Sequence, residues 1–417
     1  MSMFAQLLAS AFERRPQPAD PCPDNRPVAE VIADLVGTRG EASGRVLAQE
    51  ILNRYKREDD VGKRAFFRYL ADEMDVDAER VLETLTRYDR EKSKAAYHAF
   101  QAASEPPRQE LIRRLNQVPG ATTDLVRMRA DLLRFGRQDD RLMALDLDFR
   151  HLFVSWFNRG FLVMRPINWE SPAHILEKII AYEAVHAIDS WSDLRRRLLP
   201  GDRRCYAFFH PAMADEPLIF VEIALTSGIP RSVQFLLDDG MKALAASEAD
   251  TAVFYSISNC QPGLAGISFG QSLIKQVAAD LGTELPGLKT FVTLSPVPGL
   301  ARWLDETGLA DLPQPDLGQL AARYLLTARR KDGLPVDPVA RFHLGNGAEL
   351  HALHENADTS AKGQQQSRGV MVNYLYDLAR VSENHEAYAA SGTLAASGAV
   401  RELSEAAEAI LKKEPAQ

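Results

Sequence analysis

Apolar residues recur at three- and four-residue intervals from about Pro27 to Arg137, with charged residues dispersed between them, which predicts amphipathic helices. Val81, Leu85 and Tyr88 show the pitch well. Asp75 is the expected N-cap of that helix and Thr123 that of a helix over Leu125–Phe135, because a short polar side chain can accept the free N–H groups of a first turn. Gly37, Gly40 and Gly120 punctuate the segment and no fixed-period repeat runs through it, so an irregular bundle is expected rather than a solenoid. After roughly Phe157 the pattern changes. Aromatic and β-branched runs at Phe161–Met164, Leu218–Leu225, Val253–Ser258 and Phe291–Leu294 read as strands. Helical patterns over Ala173–Ala184 and Gly270–Leu281 alternate with them, so the second part is expected to be α/β or α+β, with the boundary near 155–160. Segments 239–250 and 313–316 read as surface connections or short helices, and the Ala- and Glu-rich C-terminal end as a helix.

Composition narrows the function classes. The 417 residues are 46% hydrophobic and 25% charged, an ordinary globular balance with length for two or three cores. A formal net charge of −8 argues against a nucleic-acid binder, which needs a basic face. No run approaches the ~18 apolar residues of a membrane span. Cys22, Cys205 and Cys260 are odd in number, far apart and without CxxC spacing, which speaks against a disulfide framework or a zinc site and for a reducing compartment. The apolar run in Met1–Arg15 is followed rather than preceded by charge, the wrong polarity for a secretory signal, so a cytoplasmic location is expected.

Candidate chemistry concentrates in Phe254-Tyr-Ser-Ile-Ser-Asn-Cys-Gln-Pro-Gly-Leu-Ala-Gly-Ile-Ser-Phe-Gly270 and Phe291-Val-Thr-Leu-Ser-Pro-Val-Pro-Gly299. The order reads strand, glycine-bearing loop, helix, strand. Gly263, Leu264, Gly266, Ser268 and Gly270 before a helix start offer free backbone N–H groups to a diphosphate, although three glycines also serve ordinary turns. The spacing matches neither a GxGxxG dinucleotide fingerprint nor a P-loop. Ser295 before Pro296 is a common turn start, and His343 in Asp337–Ala348 fits a core histidine equally well; if the loop binds a coenzyme, the two become natural acid and base partners. His351 and His354 lack a third ligand at metal spacing, so no metal is expected. Glu183 and His186 read as a structural pair. Arg195–Arg197, Arg203, Arg204 and Arg329–Lys331 read as solvated faces, or as partners for a coenzyme phosphate.

These blocks resemble the malonyl-CoA decarboxylase family. The resemblance rests on Arg204-Cys-Tyr-Ala-Phe-Phe-His210, Glu216-Pro-Leu with the strand to Thr226, Tyr255-Ser-Ile-Ser258, Gln261–Gly270, Leu294-Ser-Pro-Val-Pro-Gly299, Phe342-His-Leu-Gly-Asn-Gly-Ala348 and Met371-Val-Asn-Tyr-Leu-Tyr376. It implies an α+β multidomain chain: an irregular helical oligomerisation domain over 1–157, then an acetyltransferase-like mixed-sheet catalytic domain over 158–417. It also implies conversion of malonyl-CoA to acetyl-CoA and CO₂ without a cofactor, by a homo-oligomer. Ser295 and His343 fall on the family's catalytic positions, and Tyr376 on a tyrosine that lines its site. Relatives can carry a glutamate where this chain has Ser268. An acyl-CoA-dependent acyltransferase and a noncatalytic acyl-CoA sensor are the competing readings.

Overall fold

The computed structural model describes residues 25–37, 40–238, 243–267, 273–310 and 316–412. Its chain divides into two compact units, one taking residues up to Ser155 together with Pro262–Gly266, the other Trp156–Gln261 and Ile267 onward.

The first unit is helical, as its pattern predicts. Helices Val28–Gly37, Glu41–Arg57, Asp60–Asp72, Ala78–Glu91, Lys94–Ser104, Pro107–Leu115, Ala121–Phe135 and Asp140–Trp156 follow one another along the chain. Their apolar stripes meet in a core that includes Ile51, Phe67, Leu111, Leu125, Leu132 and Phe149. Two caps differ from expectation. Asp77, not Asp75, caps the helix Ala78–Glu91, its Oδ1 accepting from Glu79 and Arg80 N–H; Asp75 instead pairs with Arg108 at 2.9 Å. Thr123 lies inside the first turn of Ala121–Phe135, because Gly120, at φ 81°, lets the helix start sooner.

The second unit is built on one mixed sheet. Strands β1 (Val163–Ile167), β2 (Arg203–Phe209), β3 (Pro217–Thr226), β4 (Thr251–Asn259), β5 (Thr290–Thr293), β6 (Ser295–Pro296), β7 (Glu349–His354) and β8 (Met371–Leu375) lie in the order β1-β2-β3-β4-β5-β8-β6, with β7 also on β8. Every pairing is antiparallel except β4 with β5. The expected strands at 218–225, 253–258 and 291–294 are present, the one expected at Phe161–Met164 runs from Val163 to Ile167, and helices form over Ala173–Tyr182 and Leu273–Glu284. A helical pattern near the C-terminus is realised as Gly398–Leu411. Residues 239–242 and 313–315 of the two expected connections lie outside the described residues.

Two features of this sheet matter for chemistry. Register slips between Glu222/Ser256 and Ile223/Phe254, so Tyr255 is the extra residue of a β-bulge on β4. Beyond Thr293 the parallel pair parts: Leu294 N–H still reaches Phe254 O at 3.0 Å, after which β4 runs on against β3 alone and the other chain turns onto β8 through Ser295↔Val372 and Pro296↔Met371. Pro296 and Pro298 have no N–H to continue a ladder with β4, which forces the departure.

Candidate active site

Ser295 is the residue at that parting, and it is buried. Two elements bring its partners. The helix Pro338–Gly345 starts sharply, with Asp337 Oδ1 accepting from Val339 and Ala340 N–H at 2.9 and 2.8 Å and proline at the first position, and it carries His343 in its last turn. Gly347, at φ 84°, lets the chain leave at once; a Cβ there would lie 1.9 Å from Val381 O. Strand β8 and the residue after it put Tyr374 and Tyr376 two positions apart, hence on one face.

These elements assemble a continuous buried chain. Ser295 Oγ lies 3.1 Å from His343 Nε2, and His343 Nδ1 lies 2.8 Å from Tyr376 OH. Ser295 Oγ also donates to Thr293 Oγ1 at 2.9 Å. The Tyr374 ring stacks on the imidazole, centroids 4.5 Å apart. Burial pushes the His343 imidazolium down to about 3, so the ring is neutral near pH 7, and burial raises the Tyr376 phenol well above its ordinary range, so it keeps its proton. The cluster holds hydroxyl, imidazole and phenol, with no carboxylate bonded to the histidine among the described residues. Such a set moves protons between neutral groups rather than storing charge.

The glycine loop divides. Gly263 and Leu264 are buried in the helical unit, where Arg129 Nη1 donates to Gly263 O and Ala265 O at 2.8 and 3.0 Å while its guanidinium pairs with Asp146. A Cβ at Gly263 would lie 1.8 Å from Val126 O, so close backbone approach requires glycine there. Gly266 has φ 74° and open space beside its α-carbon. Ser268 and Gly270 lie outside the described residues.

Other sequence candidates have structural partners. Glu183 Oε1 accepts from Val185 and His186 N–H and, with Oε2, from Ser256 Oγ, fixing a loop against β4. Arg197 pairs with the fully buried Glu222 at 3.0 Å and also donates to His186 O and Ala187 O. Arg196 pairs with Asp193, Arg203 with Asp202, Arg204 with Glu284 and Arg330 with Asp332. His354 bonds Asn373, and no group of three or more His, Cys, Asp or Glu that could hold a metal occurs among the described residues. No helix among them is long and apolar enough to cross a membrane. The sequence reading missed Thr293; its signal was the period-two spacing that puts 293 and 295 on one side of an extended chain.

Comparison with known proteins identifies the family. The chain matches the model of the malonyl-CoA decarboxylase C-terminal domain over residues 160–315 and 305–414, and that of the N-terminal domain over 74–157. It is 34% identical over 345 residues to the mitochondrial malonyl-CoA decarboxylase of Anser anser anser, covering 68% of this chain and 66% of that one. The Rattus norvegicus enzyme is 32% identical over 350 residues, 70% of each chain. This chain thus spans about two thirds of the goose protein's length. The crystal structure of malonyl-CoA decarboxylase from Rhodopseudomonas palustris superposes with a TM-score of 0.86 at 48% identity, covering 90% of this chain and 98% of that one. The Agrobacterium vitis structure gives 0.85 at 49%, covering 90% and 99%. The expected resemblance therefore holds across both units, and the chain belongs to the malonyl-CoA decarboxylase family.

Proposed function

We propose that this protein converts malonyl-CoA to acetyl-CoA and CO₂, with Ser295 and His343 as the proton-delivering pair and Tyr376 as the donor behind them. The observation that carries the reading is the Tyr376–His343–Ser295 chain at 2.8 and 3.1 Å, in a protein of this family. The bond from the carboxylate carbon to C2 breaks, CO₂ leaves, and the electron pair moves into the thioester as an enolate. Ser295 Oγ–H then gives its proton to C2, His343 Nε2–H reprotonates the serine, and Tyr376 O–H protonates the bare Nδ1. The imidazole changes tautomer and never carries a full positive charge. One solvent proton per turnover, taken up at Nε2 as Nδ1–H returns to the phenolate oxygen, resets the chain to its starting tautomer. Because the thioester is itself the electron sink, no metal or prosthetic group is needed; activity is expected to survive exhaustive chelation.

Coenzyme binding at 263–270 belongs to the same reading, supported by the strand–turn–helix order of the chain, with Gly266 its best-supported member. So do a cytoplasmic location and a homo-oligomer held by the helical domain. The deciding experiment mixes the protein with malonyl-CoA and no acceptor, then follows CO₂ and acetyl-CoA. Both are expected in equal amounts. An acyltransferase or an acyl-CoA sensor gives neither.

A further inference from the structure

Thr293 lies outside the serine–histidine pair and is fully buried one turn of the pleat before Ser295. Both of its oxygens are held. Its carbonyl accepts from Asn373 Nδ2 at 2.8 Å, and its hydroxyl oxygen accepts from Tyr374 N–H at 3.2 Å and from Ser295 Oγ–H at 2.9 Å. The two lone pairs of that hydroxyl are thereby filled, and its β-branched side chain has little rotamer freedom to move.

We propose that Thr293 is a positioning residue that sets the direction of the whole hydrogen-bond chain, and so makes Ser295 a proton donor rather than a nucleophile. The inference rests on the decarboxylase reading. A neutral imidazole has one N–H and one bare nitrogen. Tyr376, a protonated phenol 2.8 Å from Nδ1, donates there, leaving the ring proton on Nε2 to point at Ser295 Oγ. That direction requires the serine's own proton to have another acceptor, which Thr293 Oγ1 supplies. All three protons then run one way: Tyr376 to His343, His343 to Ser295, Ser295 to Thr293. In a nucleophilic serine the arrow between serine and histidine is reversed, because the bare nitrogen must receive the hydroxyl proton. When the enolate forms, the serine hydroxyl has only to rotate from Thr293 to C2 while Nε2–H holds its oxygen in place.

The test reads the tautomer directly. With nitrogen-labelled histidine, the wild-type signal that vanishes in His343→Gln is expected to show a protonated Nε2 and a bare Nδ1; a proton on Nδ1 overturns the proposal whatever the variants do. Thr293→Val removes the acceptor at nearly constant shape. It is expected to shift the ring proton to Nδ1 and lower kcat about tenfold with KM nearly unchanged, while Thr293→Ser restores the tautomer and most of kcat. A Thr293→Val enzyme with wild-type tautomer and turnover also overturns it. Should Thr293→Val fail to fold, the wild-type tautomer decides alone. Failure of the decarboxylase reading looks different: wild-type protein then releases no CO₂ from malonyl-CoA, whichever nitrogen carries the proton.

Discussion

The sheet domain contains two buried polar networks of opposite character. Around Arg197, Glu222 and Glu183 the groups are ionisable and tied to backbone carbonyls and N–H groups of one loop. Around Ser295, His343 and Tyr376 they are neutral and tied to one another. Burial, and then the neighbouring Glu183 carboxylate, push the Glu222 carboxyl up to about 8, whereas burial alone pushes His343 down to about 3. Low polarity thus acts on both, but in one place it is countered by a guanidinium that locks a loop, and in the other it leaves a ring uncharged and ready to exchange protons. On the proposed reading, the first network holds a shape and the second reacts.

The comparison breaks if each network answers to the wrong assay. Glu222→Ala removes one of three partners of the buried Arg197 guanidinium and is expected to cost about 1–3 kcal/mol in denaturant unfolding, with turnover of the remaining folded enzyme little changed; a large kcat loss without destabilisation would merge the two networks. Ser295→Ala and His343→Ala are expected to do the reverse, lowering kcat about a hundredfold or more with modest KM change and near-native unfolding midpoints. Wild-type turnover in either ends the assignment. Tyr376→Phe, which removes one donor but keeps the ring, should cost about tenfold in kcat.

Stability against pH sharpens the contrast, because the slopes have opposite sign. Glu222 titrates at about 8 when folded against an ordinary 4.5, so the folded state binds the extra proton between those values and stability falls as pH rises through that window. His343 titrates at about 3 against 6.5, so the unfolded state binds the extra proton and stability falls as pH drops from 6.5 toward 3. Unfolding midpoints measured across pH should lose the fall between 4.5 and about 8 in Glu222→Gln and the fall below 6.5 in His343→Ala. Since the ring stays neutral, the acid limb of kcat is also expected to lie well below 6.5.

Periodicity made much of this legible. The helical stripe and the apolar runs that became β3, β4 and β5 were plain, because each buries a regular face. Strand β7 was not: Glu349–His354 carries two histidines and a glutamate, and its residues are mostly half-buried, so it lacks an apolar alternation. The three candidate side chains came from the resemblance and not from spacing, since 295, 343 and 376 are far apart in the chain and meet only in the fold. Gly263 was ambiguous for a physical reason. Close packing on a helix backbone and close approach to a phosphate ask for the same missing side chain, and sequence does not distinguish them. Asp75 was the expected cap; its long-range partner Arg108 drew it away, and Asp77 caps the helix instead.

The lack of formal charge in the Tyr376–His343–Ser295 chain has a consequence for how the enzyme meets its surroundings. Added salt screens ions and leaves neutral donors alone. Raising ionic strength should therefore weaken capture of a polyanionic coenzyme while leaving the saturated rate where it was, so a simple salt titration separates the grip on the substrate from the act performed on it.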